Sequence, residues 1–66
     1  MTTNQAISFI RRRIRVVAEQ ARRQPETAQS AYRYFELVRR WATRNGIADL
    51  ADATREAKDY IIEVAA

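Results

Sequence analysis

The 66-residue chain has no cysteine and no histidine, and only one glycine, one proline and one lysine. Without cysteine there is no disulfide and no thiolate metal site. Without histidine, the side chain that most readily exchanges protons near neutral pH is missing too. A single glycine leaves no phosphate-cradling loop, and no Asp-x-Asp-x-Asp-Gly segment is present to hold calcium. Catalysis would fall to carboxylates that lie on an exposed helix face, where no apolar pocket raises their pKa. The longest charge-free apolar stretch is Ala6-Ile7-Ser8-Phe9-Ile10, far short of the roughly 20 residues of a membrane span. A secretory leader places basic residues before its apolar segment, whereas here Arg11-Arg12-Arg13 follow it. These absences predict a non-enzymatic, cytoplasmic protein without cofactor, metal, small-molecule substrate or targeting segment.

What is present favours helix. Twelve alanines and eleven arginines, with almost nothing to break a helix, dominate the composition. The chain is short enough to form one domain, residues 1–66, and small enough that its core is marginal without a staple. Ile7, Ile10, Ile14, Val17 and Ala21 recur at alternating steps of three and four, which marks one face of a helix over about 4–23. Thr2, Thr3 and Asn4 offer capping oxygens at its start. Gln24-Pro25 ends it, and Glu26 suits the first turn of the next helix. Ala28, Ala31, Phe35, Val38 and Ala42 repeat the pattern over 26–44, and Asn45-Gly46 closes that helix. Leu50, Thr54, Ala57, Ile61 and Val64 form the seam of a third helix over 48–64. The expected fold is all-α: a small three-helix bundle of antiparallel helices joined by short loops, which homo-oligomerisation would complete.

Apolar residues remain that these seams do not use. At about 100° per residue, Phe9 and Val16 fall nearly opposite Ile14. Tyr34, Leu37 and Trp41 stand about 100° or more from Phe35. One explanation is a broad core stripe with Tyr34 and Trp41 at its margin. The other is an intermolecular surface, since Trp, Tyr and Arg anchor interfaces. The second predicts a partner-binding face of Arg33, Tyr34, Leu37, Arg40, Trp41 and Arg44, with Phe9 and Val16 as a self-association patch. On that reading the first two helices pair with those of a second copy, the third helix packs outside, and Trp41→Ala weakens partner binding by about 2 kcal/mol without unfolding the chain.

Charge is divided along the chain. Residues 1–46 carry ten arginines against three glutamates, a balance of +7. Residues 47–66 carry five acids against Arg55 and Lys58, a balance of −3. The acids Asp49, Asp52, Glu56, Asp59 and Glu63 share one face of the third helix, and like charges at three- and four-residue spacing destabilise a helix slightly. That row is either a solvated face or one that meets arginines within the fold, across an oligomer or on a partner.

Nucleic-acid binding is the rival function, with Arg12, Arg33, Arg40 and Arg44 on phosphates. Ala42 and Gly46 have the spacing of a helix-turn-helix, but the helix entering the groove would be the acidic one. Asp52 and Arg55 also stand where that motif needs apolar anchors, so base readout of this kind is excluded. A basic first helix lying on a membrane is compatible with the isoleucine seam, but a bundle core accounts for it more directly. The leading expectation is a regulatory or inhibitory protein that occupies a surface on another macromolecule and forms homo-oligomers.

Overall fold

The computed structural model describes residues 3–65. Three α-helices, α1 (Thr3–Arg23), α2 (Ala28–Arg44) and α3 (Ala48–Ala65), pack as an all-α three-helix bundle measuring 35 × 18 × 14 Å. The helices alternate in direction, so α1 and α3 run parallel and both oppose α2.

Local chemistry explains each boundary. Helix α1 already includes Thr3 and Asn4, which therefore do not cap it; Thr2 lies outside the described residues. The second helix starts later than the sequence pattern implies, because Pro25–Thr27 forms a 3-10 turn. Pro25 has no N–H to give, and Thr27 donates both its backbone N–H and its hydroxyl to the Gln24 carbonyl, at 2.9 and 2.8 Å. Those short-range bonds tighten the chain before the α-helical pattern begins. Gly46 closes α2 with φ +70°, the left-handed conformation that glycine adopts without steric cost. The Ile47 N–H bonds to the Ala42 carbonyl at 2.9 Å and the Gly46 N–H to the Thr43 carbonyl at 3.3 Å. Together these form a Schellman motif, which satisfies the last carbonyls of α2 while the chain turns into α3.

All five seam residues of α2 are buried: Ala28, Ala31, Phe35, Val38 and Ala42. Leu50, Thr54, Ala57 and Ile61 from α3 meet them, and Ile14 and Ala21 are the buried members of α1. Thr54 is fully enclosed and tolerable there because its hydroxyl donates to the Ala51 carbonyl at 2.8 Å. Alanine fills nearly half of this core, which lets the helix backbones approach closely around the one large ring, Phe35.

Packing is uneven. Helix α2 packs most extensively on α3, and α1 packs more on α3 than on α2. The expectation of a first-and-second-helix hairpin with the third helix packed outside it is therefore corrected. Leu50, Thr54 and Ile61 sit at the centre of the core, and α3 is the element that α2 relies on. Among the described residues no helix is long and apolar enough to cross a membrane.

Candidate functional site

The six residues singled out on α2 differ in exposure. They lie in three adjoining rows. Tyr34 and Trp41 are half-buried and pack against the core, and Tyr34 meets Phe35 edge-on with ring centroids 5.8 Å apart. Leu37 stands on the outer surface with 65% of its area exposed. Arg33, Arg40 and Arg44 are exposed beyond it. The broad-stripe explanation therefore describes Tyr34 and Trp41, because both pack partly buried against the core, Tyr34 along the groove between α1 and α2. Truncating Trp41 would remove core packing as well as surface, so Leu37 is the cleaner probe of this face.

Helix α1 completes the face. An open groove between α1 and α2 is lined by Arg13, Val17 and Gln20 on one side and Ser30, Ala31 and Tyr34 on the other. Burial pushes the Tyr34 hydroxyl pKa up, while the nearby Arg13 charge acts against that rise. Arg13 lies by Tyr34 across this groove, and Gln20 lines it together with Thr27. Phe9 and Val16 are each 55% exposed. They lie just outward of Arg13 and Gln20 on the same side of the molecule, and Arg12 and Arg13 are exposed beside them. The outer surface of the α1–α2 pair thus carries three exposed apolar side chains among arginines, over the least packed seam in the bundle.

The other side of α2 is occupied by an ion cluster that is not apparent from the sequence pattern. Glu36 accepts hydrogen bonds from Arg39 at 2.8 Å and from Lys58 of α3. Those two bonds, Arg39 first, hold its carboxyl at about 2, well below the ordinary 4.5. Lys58 also lies over the Tyr32 ring, 4.9 Å from its centre. Arg40 reaches the same carboxylate at 3.7 Å, so its charge is partly engaged within the fold.

The acidic row on α3 divides. Asp49 pairs with Arg11 of α1, and Asp52 pairs with Arg55 one turn along its own helix at 3.1 Å. Glu56, Asp59 and Glu63 take part in no ion pair among the described residues, and neither do Arg12, Arg13, Arg15, Arg33 and Arg44. Within the fold, then, one arginine of α1 meets the acidic row, and the outer parts of both charged surfaces face solvent.

A second apolar surface was not singled out by periodicity. Tyr32 and Ile62, the latter 57% exposed, flank a groove between the start of α2 and the end of α3, with Pro25, Ala28 and Ile61 also lining it. Its only sequence signal is Ile62 standing directly after the seam residue Ile61. Among the described residues no group of three or more carboxylates is placed to hold a metal ion. The chain matches no family model, no curated protein and no solved structure.

Proposed function

We propose that this chain is a small non-enzymatic interaction protein, cytoplasmic and regulatory or inhibitory in character, that docks on another protein through the outer face of α1 and α2. The observation that supports this reading is the exposure of Phe9, Val16 and Leu37 on one side of the molecule, bordered by Arg12, Arg13, Arg33, Arg40 and Arg44. Exposed aliphatic and aromatic residues ringed by arginine are the composition of an interface core and its rim. Homo-oligomerisation through Phe9 and Val16 is the self-directed form of the same reading.

The test is capture from nuclease-treated lysate of the source cells, with wild-type chain and with Leu37→Glu. A partner retained by the wild type and lost by the variant, whose helical circular dichroism stays intact, is the expected result. A partner held equally by both forms rules out this face.

Phosphate binding is the second reading. It is favoured by Arg12, Arg33 and Arg44, which have no carboxylate within ion-pair distance among the described residues. It predicts an affinity for random duplex DNA that falls steeply between two salt concentrations. Undetectable binding at low salt removes it.

A further inference from the structure

Two charged stripes on the outside of this bundle match each other in spacing, and no ion pair joins them among the described residues. On α2 the arginines Arg33, Arg40 and Arg44 follow one another at steps of seven and four residues. On α3 the acids Asp52, Asp59 and Glu63 follow at the same steps, and Glu63, Glu56 and Asp52 repeat them in the opposite chain direction. At about 1.5 Å of rise per residue, both stripes place charge at about 10 Å and then about 6 Å along a helix. A helix carrying the acids can therefore lie along the arginines in either direction with its charges opposed.

Within one molecule no ion pair joins the two stripes among the described residues, although Arg33 lines the α2–α3 groove together with Ile62. Arg33 and Arg44 on one stripe, and Glu56, Asp59 and Glu63 on the other, have no ion-pair partner among the described residues. Glu63 is further disfavoured where it stands. It occupies the last turn of α3, which holds no basic residue, so it faces the negative end of the helix dipole without relief. Each helix also has one exposed aliphatic residue, Leu37 on α2 and Ile62 on α3, the latter next to Glu63 in the chain and in a groove shared with Tyr32 and Arg33. These supply the apolar contact that surface ion pairs alone do not.

We infer that the arginine stripe of α2 docks the acidic stripe of α3 from a second copy of this chain. The inference rests on the proposal that the α2 outer face is an interaction surface, and it names an occupant. The two stripes are different surfaces, so the contact is head-to-tail. Each added copy leaves one free arginine stripe and one free acidic stripe, and assembly continues instead of stopping at a dimer.

The test uses the nuclease-treated full chain in light scattering and sedimentation over a range of concentrations, at about 10 mM and about 1 M salt. The expected result is a mean mass that climbs past the dimer at low salt and returns to the monomer at high salt. Two charge-reversed forms then identify the surfaces: Arg33→Glu with Arg44→Glu, and Asp59→Arg with Glu63→Arg. Each alone is expected to stay monomeric at low salt, and an equimolar mixture, in which the reversed surfaces are again opposite in sign, to recover assembly past the dimer. The neutral pair Arg33→Gln with Arg44→Gln, checked by circular dichroism, serves if a reversal perturbs folding, and is expected to weaken assembly at least tenfold.

Three results would overturn the inference: a monomer at low salt at every concentration, a mixture that does not combine, or an assembly that persists at 1 M salt and depends on Val16. Assembly that requires added nucleic acid overturns it as well and assigns the arginines to phosphate. None of these touches the Leu37-dependent capture of a protein partner, so failure here and failure of the broader reading are separable.

Discussion

The two sides of α2 make an instructive contrast. Toward α3 it presents alanine, Phe35 and Val38 to Leu50, Thr54 and Ile61, and an ion cluster of Glu36, Arg39 and Lys58 closes the edge. Toward α1 it presents the half-buried Tyr34 to an open groove, with Trp41 half-buried against the core and Phe9, Val16 and Leu37 left in solvent. The first side is what a small helical domain does to fold. The second uses the same residue types and leaves them incompletely covered, which is the pattern expected where stability is held on one side and contact is offered on the other.

The largest expected effect tests that division directly. Phe35→Ala empties the only fully enclosed ring position among the described residues and is expected to cost about 3–5 kcal/mol, enough to unfold so small a domain. Val17→Ala, at the half-buried α1 seam, is expected to cost about 1 kcal/mol in the same urea titration. Equal losses at both positions would erase the contrast. Hydrogen exchange offers a smaller but finer reading. Amides in the middle of α1 are expected to exchange at least about tenfold faster than those around Phe35 and Val38, because α1 can open while α2 and α3 stay paired. Uniform protection across the three helices would show a single cooperative unit.

The smallest effect concerns the ion cluster. The Glu36 carboxyl titrates at about 2 in the folded chain against an ordinary 4.5, so the unfolded chain binds the extra proton first as pH falls. Its stabilising contribution is complete above the ordinary carboxylate range and disappears as pH drops through about 2. The urea midpoint of Glu36→Gln should start lower than that of the wild type near neutrality and converge with it across this acid window. A constant gap between the two would mean that the α2–α3 edge owes nothing to that charge.

Much of the fold was legible because its causes are local. The three-and-four spacing of Ala28, Ala31, Phe35, Val38 and Ala42 places them on one face whatever lies opposite, and all five are buried. Asn45-Gly46 ends α2 through its own backbone geometry. The 3-10 turn at Pro25 was less legible, since it depends on both bonds from Thr27 to one carbonyl. The candidate site was legible only in part. Periodicity separates Leu37, Phe9 and Val16 from the seams, but assigns Tyr34 and Trp41 to the same surface as Leu37. A helix wheel gives an angle, and whether an angle near the margin is covered depends on how close the neighbouring helix comes.

The absence of cysteine, histidine and all but one glycine, the three seams and the division of charge are properties of the sequence alone, and each follows from the residue or its near neighbours. Tertiary structure decided that α3 lies within the bundle, that Lys58 reaches Glu36, that Arg11 takes Asp49, and that Arg33, Arg44, Glu56, Asp59 and Glu63 are left without an ion-pair partner among the described residues. Those outcomes depend on the rotation and register of whole helices against one another. Residues far apart in the chain set them together, so no local pattern contains them.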